Sequence, residues 1–380
     1  MKPISIYQPD RIVFGDGCAK EAALEILKRG HRRVFIVTGP PILPSIGPVV
    51  DLLEEKAKVN VFSAIEMEPT FTVFKEALAA ARDFQPDAVV GIGGGSCLDV
   101  SKLVAALHNG TQELEEVIGI GFLIGRTTFS VCLPTTSGTG SEVSPISVLI
   151  DENERLKKGI VSPFVVADSA YVDPLFTHSA PPHVTAATGM DALVHCIEAY
   201  ANKNSHPLID VFALEGMRLI CANLKRACAE PTHTEARSNM ALGSLLGGMC
   251  LGPVNTGAVH ALAYPLGGEF RIPHGVANSA LLPYVLEFNL PAAPQRYAEV
   301  ATALGAQPGR SHEETAARGL AIVRELSRDI GIPQKLSELG IPQEAIPRIA
   351  AGALKVTRLL VNNLREVTQK DAEAIYEAAF

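Results

Sequence analysis

Four side chains in the second half of the chain could together bind a metal ion. Asp191 and His195 are four residues apart in Gly189-Met-Asp-Ala-Leu-Val-His195, and His260 and His274 follow. A helix places residues i and i+4 on one face, so Asp191 and His195 could contact the same ion. Three imidazoles and one carboxylate suit a divalent first-row metal and leave room for a substrate oxygen. Such a site can polarise a carbonyl group or stabilise an alkoxide.

Spacing alone does not establish this site. The chain has 10 histidines, and a single histidine is more often a surface residue or a hydrogen-bonded core residue than a metal ligand. Helices also carry Asp-x3-His pairs that bind no metal. The four residues therefore form a hypothesis that needs support from the rest of the sequence.

Composition limits the class of protein. The chain has 380 residues, of which 47% are hydrophobic and 19% charged, so we expect a large buried core and two domains. The net charge of −8, without a Lys/Arg cluster, argues against nucleic acid as a partner. The 7 cysteines form no CxxC pair, which indicates reduced thiols and a cytoplasmic location. We find no secretory signal and no apolar run of membrane-spanning length, so we expect no membrane partner.

The pattern of the chain changes near its middle. Three apolar strands at 33–38, 59–63 and 87–92 alternate with helical segments at 46–56 and 70–84, which predicts a parallel sheet covered on both faces. Later segments rich in Ala, Leu and Glu are punctuated by Pro and Gly, as expected of helices. These segments are 185–202, 207–228, 233–250, 255–265, 291–304 and 312–330. The sequence thus predicts an α/β, Rossmann-like nucleotide-binding domain at 1–180 and an all-α metal-binding domain at 181–380.

A glycine run follows the third predicted strand. It reads Gly91-Ile-Gly93-Gly-Gly-Ser96-Cys-Leu-Asp99, with a helix predicted to begin at Ser96. Bare backbone N–H groups and the helix dipole could hold an anion there, and ligands of doubly wound sheets bind at this end of the strands. The run is not the usual GxGxxG, and no acidic residue follows about 20 residues later. Pyrophosphate binding and a tight turn with a serine N-cap both remain open.

A second polar loop follows the strand predicted at 127–133. It reads Pro134-Thr-Thr-Ser-Gly-Thr-Gly-Ser-Glu142 and offers hydroxyl groups and glycines with little steric bulk. An ordinary Ser/Thr-rich loop has the same composition. The loop is therefore a candidate binding segment only in combination with the other motifs.

Four motifs in this order resemble the iron-containing (group III) alcohol dehydrogenase family. They are Gly93-Gly-Gly-Ser-Cys-Leu-Asp99-Val-Ser-Lys102, the Pro134–Glu142 loop, Ala187-Thr-Gly-Met-Asp-Ala-Leu-Val-His195 and Pro273-His-Gly-Val-Ala277. The likeness covers roughly residues 5–375. It implies a nucleotide-binding α/β domain joined to a helical metal domain, as in glycerol dehydrogenase and dehydroquinate synthase. It also implies a homodimer.

The resemblance assigns roles to individual residues. It implies Fe²⁺, or Zn²⁺, held by Asp191, His195, His260 and His274, and it alone brings the last two to the Asp191 helix. Gly94, Gly95 and Ser96 would hold the pyrophosphate of NAD or NADP. Asp99 would anchor the glycine loop or contact the cofactor. Three threonines would line the nicotinamide and its ribose, and a lysine would lie near the cofactor. These residues are Thr135, Thr136, Thr139 and Lys157, the last with Lys158 as an alternative alignment.

Two positions depart from the family pattern. Relatives commonly carry a histidine four residues after the third ligand, near the nicotinamide, where this chain has Tyr264. Tyrosine has an unperturbed pKa of about 10 and titrates poorly near neutrality, so Tyr264 is either a proton carrier or a packing residue. NAD-preferring relatives often have Asp after the first strand, where this chain has Gly39. Gly39 removes a barrier to the 2′-phosphate of NADP, or is only a turn glycine.

The sequence therefore predicts a metal-dependent NAD(P) oxidoreductase that interconverts a small alcohol and its aldehyde or ketone. Two alternatives stay open. One is a hydroxyacid-oxoacid transhydrogenase, in which Arg271 could pair with a substrate carboxylate. The other is a metal lyase similar to dehydroquinate synthase, which the ligand set and the Pro-Thr-Thr loop disfavour. No single residue identifies the substrate.

Overall fold

Continuous apolar runs explain why the central strands of the first half are buried on both faces. In a strand, successive side chains point to opposite faces. Val34 and Ile36 pack in one core cluster with the helices of one side, while Phe35 and Val37 pack in another on the other side. Parallel sheets are typically covered on both faces in this way. The structure, a computed structural model, describes residues 2–66 and 68–380.

Six parallel strands form the main sheet, in the order β1-β9-β6-β4-β2-β3. Their bounds are β1 (Arg11–Phe14), β2 (Arg33–Val37), β3 (Lys58–Phe62), β4 (Ala88–Gly93), β6 (Phe129–Pro134) and β9 (Ser169–Val172). A smaller sheet contains β5 (Gly119–Ile120), β7 (Ile146–Asp151) and β8 (Leu156–Val161), in the order β5-β8-β7. The parallel sheet was predicted, whereas the antiparallel β7–β8 hairpin was not.

Five helices accompany these strands. They are α1 (Ala19–Lys28), α2 (Gly47–Glu54), α3 (Phe71–Phe84), α4 (Gly95–Leu107) and α5 (Leu114–Val117). Thr70 caps α3 by accepting a hydrogen bond from the Val73 N–H, as its position before the helix predicts. Residues 6–136 and 140–179 form one compact unit, which we call the sheet unit.

The second compact unit, the helical unit, comprises residues 2–5, Ser137–Thr139 and Ala180–Phe380. Its helices are α6 (Pro182–Tyr200), α7 (Pro207–Ala229), α8 (Thr234–Leu251), α9 (Ala258–Phe270), α10 (His274–Asn289), α11 (Pro294–Ala303), α12 (His312–Asp329), α13 (Ile346–Leu354), α14 (Thr357–Leu360) and α15 (Gln369–Ala378). Within the described residues, no helix has the length and apolarity needed to cross a bilayer.

The sequence did not predict α13, α14 or α15, and two further helices, which matter for the site, also differ from the prediction. The helix predicted at 255–265 begins at Ala258 and continues to Phe270, with Pro265 inside it. The sequence did not predict α10, in which Pro283 lies inside the helix. Both helices carry candidate ligands, so their boundaries decide how the site is built.

Candidate active site

Helix α6 presents two of the predicted ligands on one face. Asp191 and His195 lie one helical turn apart, with Asp191 Oδ1 3.9 Å from His195 Nε2. Both side chains are buried. An unpaired carboxylate and imidazole would be costly there, so the pair requires compensating partners.

Helices α9 and α10 bring the other two predicted ligands to Asp191. His260 Nε2 and His274 Nε2 each lie 3.7 Å from Asp191 Oδ1. The ligand atoms of Asp191, His195 and His260 all lie within 4.8 Å of one another. The structure thus gathers four residues that are up to 83 positions apart in the sequence around one carboxylate oxygen.

The electrostatics of this cluster suit a cation. Burial opposes ionisation of Asp191, but the adjacent His195, His274 and His260 outweigh it and lower the pKa of Asp191 to about 2. Burial lowers the pKa of His195. Metal coordination requires an ionised carboxylate and neutral imidazoles, so a bound cation would replace the positive charge that protonated imidazoles otherwise present to Asp191. Three imidazoles and a carboxylate match the donors that Fe²⁺ and Zn²⁺ accept, so the residues present fit the predicted ion.

Two polar residues around the cluster were missed by the sequence prediction. The amide nitrogen of Asn278 donates to Asp191 Oδ1 at 2.7 Å and lies 3.1 Å from His260 Nε2. Glu198 Oε2 lies 2.6 Å from His260 Nδ1. Asn278 is four residues after His274, and Glu198 is three after His195, so helical spacing was the signal that could have identified both.

Tyr264 lies one turn after His260 on α9. Its ring packs edge-on against His274, with the ring centroids 6.1 Å apart. Its hydroxyl accepts a hydrogen bond from Arg358 Nη2 at 3.3 Å, and the side chain is buried. Arg271 ends α9 in the left-handed conformation and is exposed. The structure therefore places Tyr264 beside a candidate ligand, whereas Arg271 lies on the surface.

Within the sheet unit, the glycine loop and the first residues of the Ser/Thr loop are neighbours at the carboxyl ends of β4 and β6. The two strands pair in register up to Gly93 and Pro134, and the Thr135 N–H donates to the Gly93 carbonyl at 3.0 Å. A Cβ on Gly94 would lie 3.5 Å from Thr136 Oγ1. Gly94, Thr135 and Thr136 are thus brought together, which agrees with the cofactor roles that the resemblance implied for them.

The helix after the glycine run begins one residue earlier than predicted. α4 starts at Gly95 with Gly94 as its N-cap, and no side chain caps it, so the serine N-cap interpretation was wrong. Gly93 has a φ of +158° and a Cβ there would lie 2.5 Å from Cys97 Sγ, which requires glycine. Uncapped N–H groups at a glycine-lined helix start form a site into which a phosphate fits.

Asp99 and Lys102 hold the second polar loop. Asp99 accepts hydrogen bonds from the Ser141 hydroxyl at 2.5 Å and the Val148 N–H at 2.9 Å. The fully buried Lys102 ammonium donates to the carbonyls of Ser141, Ser144 and Ile146. Of the two roles predicted for Asp99, these contacts support anchoring, although they reach the Ser/Thr loop rather than the glycine loop.

The remaining predicted cofactor residues have separate settings. Gly39 lies just after the carboxyl end of β2. A Cβ built on Gly39 would lie 3.7 Å from Cys97 Sγ, in the first turn of α4. Lys157 lies on β8, where its ammonium pairs with Glu68 at 2.7 Å, while Lys158 pairs with Glu154. Thr139 belongs to the helical unit and Ser96 lies in the first turn of α4.

Comparisons with known proteins agree with this architecture. The family model "Iron-containing alcohol dehydrogenase" matches residues 9–174, and "Fe-containing alcohol dehydrogenase family, C-terminal" matches residues 185–380. The chain is 39% identical to long-chain-alcohol dehydrogenase 1 of Geobacillus thermodenitrificans, over 97% of this chain and 96% of that protein.

Two solved structures extend the likeness to the fold. A 1,3-propanediol oxidoreductase superposes with a TM-score of 0.96 at 34% identity, over 100% of both chains. A sulfoacetaldehyde reductase of Bifidobacterium kashiwanohense, solved in complex with NAD⁺, superposes with a TM-score of 0.89 at 29% identity, over 100% of this chain and 99% of that chain. The resemblance found in the sequence is confirmed. The chain belongs to the iron-containing alcohol dehydrogenase family and is a metal-dependent oxidoreductase of alcohols and aldehydes.

Proposed function

We propose that Asp191, His195, His260 and His274 hold one Fe²⁺ ion, for which Zn²⁺ can substitute, in a small-aldehyde reductase. The observation that carries this proposal is the convergence of three imidazole Nε2 atoms on Asp191 Oδ1 at 3.7 to 3.9 Å. When bound, the ion and the nicotinamide supply Lewis-acid polarisation and hydride transfer. The relatives' substrates range from long-chain alcohols to a sulfonate, so we assign only the class.

We propose further that the glycine loop and the Ser/Thr loop bind NAD or NADP. Gly94, Gly95 and Ser96 offer α4 N–H groups to the pyrophosphate, while Thr135, Thr136 and Thr139 orient the nicotinamide and its ribose. Lys102 and Asp99 keep the Ser/Thr loop in place through the contacts described above. In the helical unit, the Tyr264 hydroxyl holds a proton near His274.

Other features stay predictions. We propose that residues 1–180 and 181–380 are the functional domains and that the chain acts as a cytoplasmic homodimer. Lys157 remains a candidate cofactor contact, with Glu68 as its partner in the present structure. Gly39 remains a candidate for tolerance of NADP.

Removal of single ligands tests the metal site. We expect Asp191→Ala and His260→Ala to lose bound metal, measured by elemental analysis, and nearly all aldehyde reduction, measured with NADH or NADPH. His312→Ala, which removes an exposed imidazole at the start of α12, is the control. Full activity in a rigorously metal-free preparation would contradict the proposed function.

A cavity-filling substitution tests the dinucleotide site. Gly94→Ala places a methyl group at ordinary contact distance from Thr136, so the fold should tolerate it. The methyl would occupy space next to the uncapped N–H groups, and we expect NADH binding to weaken by roughly tenfold. Gly47→Ala, whose Cβ meets nothing within 4 Å, is the control. Unchanged binding by Gly94→Ala would place the pyrophosphate elsewhere.

A further inference from the structure

A buried carboxylate lies behind one of the candidate ligands. Glu198 is on α6, and its side chain is only 7% exposed. Its Oε2 atom is 2.6 Å from His260 Nδ1, and its Oε1 atom accepts a hydrogen bond from the Val259 N–H at 2.6 Å. Each oxygen therefore has its own partner, and both partners belong to the first turn of α9.

These contacts fix which nitrogen of His260 carries the proton. An ionised carboxylate can only accept hydrogen bonds, so the proton shared with Glu198 must be on Nδ1. Nε2 then has a lone pair. The neighbour of Nε2 agrees, because Asn278 Nδ2, a donor, lies 3.1 Å away. If the Asn278 amide were reversed, its oxygen would lie 2.7 Å from Asp191 Oδ1, and these two hydrogen-bond acceptors would repel each other. The orientation of that amide is therefore also determined.

The surroundings hold Glu198 in this position. A Cβ on Gly257, the N-cap of α9, would lie 3.3 Å from Glu198 Oε1 and 3.4 Å from Asn363 Oδ1, so a larger residue there would crowd the carboxylate. The carboxylate also lies at the N-terminus of a 13-residue helix, where the N–H groups and the dipole favour a negative charge.

We propose that Glu198 is a positioning residue for the metal centre: it selects the Nδ1–H tautomer of His260 and aims the Nε2 lone pair at the ion. The proposal rests on the metal site proposed above. Carboxylates that hydrogen-bond a metal-binding histidine orient the ring and increase its basicity, and their loss weakens metal binding by roughly 10- to 100-fold.

The substitution Glu198→Gln separates this role from simple packing. Gln has the same shape but only one acceptor. If its oxygen accepts from the Val259 N–H, its NH₂ group faces His260 Nδ1 and favours the opposite tautomer, with the proton on Nε2. The variant should therefore fold but present a protonated nitrogen to the ion. Glu198→Asp keeps an acceptor-only carboxylate and should retain the wild-type tautomer.

The experiment measures Zn²⁺ affinity by competition with a chromophoric chelator, with no turnover involved. We expect Glu198→Gln to bind Zn²⁺ roughly 10- to 100-fold more weakly than wild type, and Glu198→Asp to recover part of that loss. Glu299→Gln is the matched control, because Glu299 hydrogen-bonds Tyr200 at the end of the same helix but not His260. Wild-type affinity in Glu198→Gln would overturn the proposal.

Imidazole ¹⁵N NMR of the metal-free wild-type protein gives a second readout that needs no stable Glu198 variant. The His260 signals, assigned by their loss in His260→Ala, should show a protonated Nδ1, and a protonated Nε2 would overturn the proposal. If His260→Ala still binds Zn²⁺ as wild type does, the metal site itself is wrong. If that variant loses Zn²⁺ while Glu198→Gln keeps it, only the role of Glu198 fails.

Discussion

Tyr264 and Gly39 are the two residues at which we expect this chain to depart from the family pattern. Tyr264 stands one helical turn after His260 and contacts His274, with a hydroxyl that hydrogen-bonds Arg358. Gly39 follows β2, where we expect a carboxylate to discriminate against the 2′-phosphate of NADP. In both cases the residue type suggests a change in chemistry, and the local packing determines which substitutions can reveal it.

Tyr264→Phe removes only the hydroxyl from a buried ring. If that hydroxyl is on the proton path, we expect turnover to fall by about 10²-fold, the low end for a lost acid–base group, with metal content unchanged. Steady-state kinetics and elemental analysis check this, and Tyr284→Phe on α10 is the control. Turnover like that of wild type from pH 6 to 10 would mean that Tyr264 only packs.

Gly39→Asp is a poor test of cofactor choice. A Cβ at residue 39 would lie 2.4 Å from the Ile65 carbonyl oxygen, so the backbone would have to move. We expect Gly39→Asp and Gly39→Ala to lower the melting temperature alike, as differential scanning fluorimetry would show. Melting curves that match wild type would contradict the predicted clash.

The wild-type protein gives the direct test of cofactor choice. Without a carboxylate at residue 39, we expect NADP(H) to be used within about tenfold of NAD(H), or about 1.4 kcal/mol. The ratio of kcat/KM for the two nucleotides measures this. A preference for NAD above roughly a thousandfold, about 4 kcal/mol, would assign discrimination to another residue.

At the scale of elements, the close approach of α10 to α6 determines the position of His274. α10 begins at His274, and the next residue, Gly275, lies against the backbone of α6. A Cβ on Gly275 would be 2.0 Å from the Ala187 carbonyl oxygen, closer than any real contact. Only glycine allows the two helices to meet there, and this contact brings His274 within reach of Asp191.

Gly275→Ala should force the start of α10 away from α6. We expect weaker Zn²⁺ binding together with a lower melting temperature, because the same displacement moves a ligand and loosens helix packing. Chelator competition and thermal unfolding measure the two effects. Gly47→Ala is again the control, and a Gly275→Ala protein with unchanged metal affinity would show that the site tolerates the shift.

At the scale of the whole molecule, the two units carry different chemistry. All four candidate metal ligands belong to the helical unit, and the glycine loop belongs to the sheet unit. The sheet unit also buries Glu142, next to the Lys102 contacts. Burial, only partly offset by the backbone N–H of Glu142 and by Lys102, raises the pKa of Glu142 to about 7.

This raised pKa predicts how stability changes with pH. The folded state holds the Glu142 proton more tightly than the unfolded state, whose carboxyl has a pKa near 4.5. The stabilisation is complete below pH 4.5 and is lost as pH rises towards 7, by at most about 3 kcal/mol. Glu142→Gln should flatten this part of the curve, measured by denaturant unfolding of metal- and nucleotide-free protein between pH 5 and 8. Parallel wild-type and Glu142→Gln curves would contradict the predicted pKa.

The sequence by itself determined the elements whose signals are local. Apolar runs and 3.6-residue patterns predicted β2, β3, β4 and β6 and helices α2, α3 and α4 of the first half, because burial of one or both faces is encoded by neighbouring residues. The Asp191–His195 pair was visible for the same reason, since i and i+4 share a helix face. The motifs in their order identified the family, which the comparisons confirm.

Only the tertiary structure decided the parts that depend on distant segments. No local pattern brings His260 and His274 to Asp191. Helix α10 was missed because its apolar residues are distributed around the whole helix, which leaves no 3.6-residue period, and because Pro283 lies inside it. The roles of Glu198 and Asn278 required the packing of α6 against α9 and α10, since each residue acts on a ligand from another helix. Contacts between distant residues carry no periodic signal, so the donor set could be named from the sequence but its arrangement could not.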